Sequence, residues 1–225
     1  MIQRILGAAA AAFLLLSTAH AAHADVIKTR DGQWWPKKIQ KDMEGADAPS
    51  DAVLKKSGRN NLELAYDKVK LSGQSFSAAD VEEIYSTTAY ESLSYKNGER
   101  QAQSRYWSEA AANFAEAAEN LKGAAKEISL YWRVWCLART NNAAKTFDAA
   151  QQLLDAFPKT FYFAKVQDMR ARILINRRDR RGSEAELLKV INAPGMNARD
   201  YFEAKLAVIY LFKFKAAGKD KKKYA

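Results

Sequence analysis

Residues 107–121 read WSEAAANFAEAAENL, and this stretch sets the period of the chain. Its apolar side chains follow one another at intervals of three and four residues: Trp107, Ala110, Phe114, Ala117 and Leu121. That spacing places them on one face of an α-helix. Gly123 follows the stripe and is suited to end the helix. The stretch therefore predicts an amphipathic helix with one buried face.

Similar stripes recur further along the chain. The second begins 40 residues later and comprises Phe147, Ala150, Leu154 and Phe157. The third is weaker and comprises Gly182, Ala185, Leu188 and Ile191. We expect other helices between the stripes, at about residues 88–103, 127–141, 160–177 and 198–217. Recurrence with spacings of 40 and 35 residues predicts that residues 87–225 form stacked helical hairpins, about 3.5 of them, the last one incomplete.

Small residues recur at a fixed distance before the alanine of each stripe. Gly98 precedes Ala110 by twelve positions, and Ala138 precedes Ala150 by twelve. In the third stripe the corresponding residue is Ile173, which departs from the pattern. This arrangement resembles the tetratricopeptide repeat family over roughly 130 residues. The resemblance implies an α-solenoid in which the first helix of each hairpin lines a concave, partner-binding surface.

Residues 25–86 have the alternation of β-strands. Val26 and Ile27 lead into Asp31-Gly32, a dipeptide typical of a two-residue hairpin turn. Pro36 removes a backbone donor and marks the next strand as an edge. Further strands are predicted from the alternating apolar residues Leu62, Leu64, Tyr66, Val69 and Leu71, and residues 41–60 are expected to form a long loop. Overall we predict an α+β fold, mainly α, with a small β-rich region before the helices.

Residues 1–24 have the pattern of a secretory signal peptide. Arg4 precedes a twelve-residue apolar run, and two small-x-small sites follow, ending at Ala21 and Ala24. A helix that spans a bilayer needs about 20 apolar residues, so this run is too short to be an anchor. We expect an exported chain, periplasmic or secreted, that is not transmembrane and is cleaved at one of these two sites.

The composition excludes several kinds of catalysis. The chain's two histidines, His20 and His23, both lie in the predicted signal peptide, and Cys136 is its single cysteine. A Ser-His-Asp triad, a Cys-His pair and a His/Cys zinc site are therefore excluded from the mature chain. No glycine-rich phosphate loop is present. We expect no enzymatic activity, no cofactor and no metal, and a Cys136 that serves as a small buried hydrophobic residue.

One helix combines an apolar side with large polar and aromatic residues. The resemblance to tetratricopeptide repeats implies that the concave surface of the second hairpin is lined by Trp132, Trp135, Arg139 and Asn142, and that of the first by Tyr95 and Glu99. Spacings of three, four and three residues also place the second set on one helix face. Tryptophan and arginine are frequent interface hot spots. Packing of the tryptophans between neighbouring hairpins remains the alternative.

Charge is unevenly distributed along the chain. Residues 25–86 have a net charge of −1, whereas residues 87–225 have +10. Arginines cluster near the third hairpin, at Arg170, Arg177, Arg178, Arg180 and Arg181. A basic surface attracts anionic partners. An anionic envelope polymer or an acidic protein is therefore a second candidate partner, nucleic acid ranks last for an exported protein, and a merely solvated surface is the alternative.

The sequence favours a non-catalytic scaffold or adaptor that binds a protein or peptide through its concave surface. A different possibility is the non-catalytic solenoid of a larger cell-envelope enzyme. The helix expected at 198–217 is apolar on nearly all sides, and Tyr224-Ala225 resemble the start of another helix. We therefore expect either further C-terminal sequence or an oligomer partner to cover it.

Overall fold

The computed structural model describes residues 25–57, 61–140 and 142–217. The described chain is mainly helical and carries two small antiparallel sheets near its N-terminus, which confirms the predicted α+β, mainly α fold. The predicted signal peptide and the predicted start of a further helix at Tyr224-Ala225 lie outside the described residues.

The first sheet contains β1 (Asp25–Thr29), β2 (Trp34–Trp35) and β6 (Val81–Ser86), with β1 in the centre. The Thr29 amide donates to the Gln33 carbonyl at 2.8 Å, and the Gly32 amide donates to the Thr29 carbonyl at 2.9 Å. A hairpin is therefore present where it is predicted, but its loop has three residues rather than two, with Gly32 at φ 81°. β2 lies at the sheet edge, as Pro36 predicts.

The second sheet is a meander of β3 (Leu62–Leu64), β4 (Lys68–Leu71) and β5 (Gln74–Ser77). The long loop expected at 41–60 is wrong, because its described part includes the end of a 3-10 helix (Lys37–Met43) and the helix α1 (Asp51–Ser57). Met43 and Leu54 are buried with Trp34 in one small cluster. These side chains are buried against the first sheet, and this burial stabilises the two helices. The polar composition of the segment gave no sign of them.

Each of the remaining helices packs against the next one in sequence. The helix expected at 88–103 is interrupted at Ser92, whose hydroxyl accepts the Tyr95 amide and caps a new helix. The helices are α2 (Thr87–Glu91), α3 (Leu93–Gln103), α4 (Trp107–Asn120), α5 (Gly123–Leu137), α6 (Ala143–Ala156), α7 (Phe163–Asn176), α8 (Arg180–Ile191) and α9 (Ala198–Ala217).

The first hairpin, α3 and α4, is closed by a contact between a glycine and an aromatic ring. A Cβ atom at Gly98 would lie 3.0 Å from two ring carbons of Phe114, so the ring occupies the space of a side chain. Ala110 and Ala117, on the predicted stripe of α4, are fully buried beside it. Gly98 and the apolar stripe of α4 therefore pack against each other, as the sequence predicts.

The predicted register of the third hairpin is wrong. Ala185 and Leu188 are exposed, whereas the buried residues of α8 are Ser183, Glu186, Leu187 and Val190. The Asp179 side chain accepts the Gly182 amide at 2.9 Å and fixes where α8 begins. The pair of small residues twelve positions apart is therefore Ala171 and Ser183, both buried.

The β-rich region packs directly against the helices. The Tyr66 amide donates to the Lys159 carbonyl at 3.1 Å, and its hydroxyl donates to the Pro194 carbonyl at 2.8 Å. The Asn197 side-chain amide donates to the Tyr66 carbonyl at 2.8 Å. The turn between β3 and β4 thus holds the turn before α7 and the turn before α9.

A buried carboxyl group joins α5 to the turn before α7. Glu127 is 3% exposed, and its Oε1 accepts the Thr160 hydroxyl at 2.6 Å and the Phe161 amide at 3.0 Å. Burial raises the pKa of Glu127 to about 7, although both hydrogen bonds act in the opposite direction.

Helix α9 has one covered and one uncovered apolar face. Ala204 is buried, whereas the side chains of Phe202, Leu206, Ile209 and Tyr210 are all about half exposed or more. That a further helix or a second subunit covers this face stays a prediction. Within the described part of the chain, no helix combines the length and the apolar character that crossing a bilayer requires.

We predict that Gly98→Val destabilises the protein through the Phe114 ring. Overpacking a close contact costs about 1–3 kcal/mol, which exceeds the few tenths that valine gains over glycine in helix propensity. The expected loss in the free energy of unfolding is about 2 kcal/mol, measured by urea titration. Ala112→Val, on the exposed face of α4, is the control and should cost under about 1 kcal/mol. Equal losses in the two variants would contradict the proposed contact.

We predict that Glu127→Gln removes a specific pH dependence of stability. Because the pKa of Glu127 is raised to about 7 in the folded chain, its protonated form stabilises the fold fully below its ordinary pKa near 4.5. This contribution declines as pH rises and is lost above 7. Between pH 5 and pH 8 the wild type should lose about 2–3 kcal/mol of unfolding free energy relative to Glu127→Gln.

The matched control for Glu127 is Glu116→Gln, which removes the same charge from an exposed site on α4. Its stability relative to wild type should be nearly the same at both pH values. Urea titrations of all three proteins at pH 5 and pH 8 provide the measurement. A constant difference between wild type and Glu127→Gln would show that the carboxyl group titrates normally.

Candidate functional site

Three clefts follow the first helices of the hairpins and meet at Lys165. The first, of about 540 Å³, lies between β6, α3 and α5, and the middle one, of about 440 Å³, lies between α5 and α7. The last, of about 370 Å³, is formed mainly by α7, α8 and α9. Because Lys165 lines all three, we treat them as one surface and call it the groove.

The first cleft is lined by tyrosines whose hydroxyls donate hydrogen bonds to glutamate side chains. The Tyr85 hydroxyl donates to the Glu83 carboxylate, and the Tyr90 hydroxyl donates to the Glu99 carboxylate at 2.6 Å. Burial, followed by the neighbouring Glu83, raises the pKa of Tyr85 well above its ordinary value. The Tyr85 hydroxyl therefore stays a proton donor at any physiological pH.

The middle cleft carries stacked aromatic and guanidinium groups. The guanidinium carbon of Arg139 lies 3.1 Å from the centroid of the Trp135 ring and 5.6 Å from that of Trp107. Arg139 also donates to the Trp135 carbonyl at 3.1 Å. Across the cleft, Arg172 pairs with Asp168 at 2.7 Å. The arrangement offers exposed guanidinium groups beside an apolar ring, which suits recognition of a peptide.

Lys165 is exposed, and three aromatic rings lie near its ammonium group. Its Nζ lies 5.2 Å from the centroid of Phe161, 5.7 Å from that of Tyr162 and 6.0 Å from that of Tyr131. Desolvation by the crowded groove lowers the pKa of Lys165, while nearby carboxylates, Asp200 first, oppose the shift. The central cation of the groove is thus held by cation–π contacts.

The structure brings most of the predicted binding residues to the groove. Tyr95, Glu99 and Trp132 line the first cleft, and Trp135 and Arg139 line the middle one. Both tryptophans also pack against α4: Trp132 stacks on Phe114 with centroids 6.3 Å apart, and Trp135 meets Trp107 edge-on at 5.5 Å. Each tryptophan therefore both packs between neighbouring hairpins and lines a cleft, so the two roles considered for it are compatible.

Asn142 does not share the helix face predicted for it. Helix α5 ends at Leu137, so Asn142 lies beyond it in the turn before α6. Its Oδ1 accepts the Lys145 amide at 3.1 Å and caps α6. The prediction was wrong because it extended the periodic spacing of the helix to Asn142, five residues beyond the end of α5.

The predicted basic cluster divides into two environments. Four exposed arginines lie at the turn between α7 and α8 and at the start of α8: Arg177, Arg178, Arg180 and Arg181. Arg170 lies apart from them, because its guanidinium pairs with Glu186 at 3.2 Å and lies 4.8 Å from the Phe147 centroid. Only 11% of its side chain is exposed, which gives it a role in packing α7 on α8 and α6.

Several residues that line the groove were not predicted from the sequence. Lys165 and Asp168 stand six and three positions before Ala171, as Trp132 and Trp135 stand before Ala138. The correct register of the third hairpin would have found them. Glu83 and Tyr85 come from β6, and nothing in the sequence shows that this strand faces α3.

Two further observations bear on the chemistry of the site. Cys136 is fully buried, as predicted, and burial raises the pKa of its thiol to about 12. Within residues 25–57, 61–140 and 142–217, no three His, Cys, Asp or Glu side chains are placed to hold a metal ion.

The chain was also compared with known proteins. No protein-family model, curated protein or solved structure matches it.

Proposed function

We propose that the protein is an exported, non-catalytic scaffold that binds an extended segment of a protein or peptide partner in the groove. The observation that carries the proposal is the meeting of three clefts at Lys165, along the first helices of successive hairpins. An extended chain could occupy such a surface without a break. The predicted signal peptide supports export, and the resemblance to tetratricopeptide repeats supports the mode of binding.

The groove has the chemistry of a peptide-binding surface. Trp132 and Trp135 present partly exposed rings backed by the packed core, so they lose little side-chain freedom on binding. Arg139 is already stacked on Trp135, which presents its guanidinium in a fixed place. Aromatic and arginine side chains of this kind dominate binding energies at interfaces.

A second candidate function is supported by the exposed arginines between α7 and α8. Arg177, Arg178, Arg180 and Arg181 form a compact basic surface outside the groove. An anionic polymer or an acidic protein would bind there through long-range electrostatic attraction, and its affinity would fall steeply with salt.

We predict that peptides selected on the purified protein bind in the groove. Binders from a displayed library of unstructured peptides should lose affinity with Trp135→Ala by about 2 kcal/mol, roughly 30-fold, as hot-spot residues do. Lys165→Glu, at the junction of the clefts, should also weaken them. Titration calorimetry gives the affinities, and thermal melts check that each variant is folded.

The matched control is Arg181→Glu, which makes the same charge change outside the groove. It should leave peptide affinity unchanged. Binders that are insensitive to Trp135→Ala and Lys165→Glu, or the recovery of no binder, would contradict the proposed function. Binding of polyglutamate that Arg181→Glu abolishes and Lys165→Glu does not would favour the second candidate.

A further inference from the structure

We propose that the exposed apolar face of α9 docks on the surface of an anionic lipid bilayer. The inference goes beyond the proposed function, because Phe202 and Ile209 on this face line none of the three clefts. It is carried by the side chains that α9 exposes, by the charge of the sequence around them and by a comparison with the other ways of covering such a face.

Helix α9 exposes four large apolar side chains along one side. Phe202, Leu206, Ile209 and Tyr210 fall within an arc of about 100° on the helix, and we call these four residues the exposed face. They make up half of the large hydrophobic side chains exposed in the described part of the chain. Ala204, on the opposite side, is buried. The exposed face is thus as wide as the face that a helix of a globular protein buries, and an apolar surface of this kind marks an interaction site.

The composition of the exposed face suits the boundary between lipid and water. Phe202 and Tyr210 are aromatic, and Leu206 and Ile209 are aliphatic. Aromatic rings are favoured at the level of the lipid headgroups, and aliphatic side chains enter the adjoining acyl region. Helix α9 also contains six charged residues among its 20, which favour a position along the bilayer surface rather than across it.

The sequence around the exposed face is basic. Residues 198–225 contain eight basic and three acidic residues, a net charge of +5. One of the acidic residues, Glu203, is paired with Arg199 at 2.7 Å. Lys205 is exposed, and its Nζ lies 4.8 Å from the centroid of the Tyr201 ring. Lysines and arginines beside an amphipathic helix attract negative lipid headgroups, so the charge of this segment complements an anionic bilayer.

The same charge disfavours the protein covers considered for α9. Two copies of the chain would bring two segments of net charge +5 together at this face, and like charges repel. Residues 218–223 read GKDKKK and offer no apolar side chain that would lie on the exposed face. An anionic bilayer satisfies both requirements, since its headgroups attract the lysines while its acyl region receives the apolar side chains.

The exposed face lies at the border of the groove. Leu206 and Tyr210 also line the last cleft, whereas Phe202 and Ile209 lie outside it. Changes at Phe202 and Ile209 therefore alter the exposed face without altering any residue that lines a cleft. This difference allows lipid binding and peptide binding to be tested separately.

The test follows the surroundings of α9 with a fluorescent label. Cys136 is fully buried, so a cysteine introduced at the surface is labelled selectively. The full chain with Ile209→Cys, labelled with a nitrobenzoxadiazole dye, is mixed with vesicles of phosphatidylglycerol and phosphatidylcholine in equal amounts. The emission should rise severalfold and shift to shorter wavelength, because the dye leaves water for lipid. Vesicles of phosphatidylcholine alone should produce no such change, and added salt should weaken the response.

Ala112→Cys provides the matched label, on the exposed face of α4. Its emission should stay unchanged with either kind of vesicle. Both labelled chains carry the apolar run at residues 5–16, so a response confined to position 209 is due to α9. No response at position 209, equal responses at the two positions, or equal responses to the two kinds of vesicle would overturn the inference.

A second change tests the apolar contact itself. Phe202→Asp, added to the labelled Ile209→Cys chain, should weaken vesicle binding by about tenfold or more, because an apolar ring no longer enters the lipid. Leu93→Asp, added to the same labelled chain, is the control, because Leu93 is an exposed apolar residue outside α9 and outside the three clefts. It should leave vesicle binding unchanged. Thermal melts check that both variants fold, and equal losses in the two would contradict the inference.

Light scattering and peptide titration separate this inference from its alternatives. A dimer that Phe202→Asp dissociates, in a chain whose label does not respond to vesicles, would overturn the inference and assign the exposed face to a second copy. Peptide binding that depends on Trp135 and is unchanged by Phe202→Asp would leave the proposed function standing whether or not lipid binds. A label that responds to anionic vesicles in a chain that binds no peptide would support this inference and contradict the proposed function alone.

Discussion

The ring of Phe114 against Gly98 sets the distance between α3 and α4, and much of the groove depends on that distance. The ring also meets Tyr95 edge-on at 5.2 Å and stacks on Trp132 of α5. One side chain of α4 therefore positions residues of both neighbouring helices. Because Tyr95 and Trp132 line the first cleft, the packing of the core and the shape of the binding surface are determined by the same contact.

The β-rich region has a complementary role at the ends of the helices. Tyr66 forms hydrogen bonds with the turns that precede α7 and α9, and Glu127 forms hydrogen bonds with the turn before α7. Helical hairpins held only by their neighbours are free to bend relative to one another. Here a sheet that contacts several of them restricts that bending. We therefore expect the clefts to keep one arrangement before a partner arrives, which lowers the entropy lost on binding.

Much of the fold follows from local patterns in the sequence. The stripe at Trp107–Leu121, the small residue Gly98 and the turn at Asp31-Gly32 each predict what the structure contains, because a short stretch determines each of them. The third hairpin was placed in the wrong register, since the polar Ser183 and Glu186 occupy its buried face and the exposed Ala185 and Leu188 imitate an apolar stripe. The prediction that Asn142 shares the binding face of α5 was wrong because periodicity does not show where a helix ends. The contribution of Glu83 and Tyr85 to the first cleft could not be found at all, since only tertiary packing brings β6 to the same cleft as α3.

The bonds of Tyr66 also bear on the order in which the chain can fold. Its hydroxyl and carbonyl reach partners 128 and 131 residues later in the sequence. Closing a loop of that length costs about 4 kcal/mol of chain entropy before its contacts form, so such pairings form late. A chain that emerges N-terminus first has the turn between β3 and β4 outside long before Pro194 and Asn197 appear. The β-rich region thus emerges before the helices and is among the last parts to reach its final contacts, and during that interval its strand edges are open to other chains.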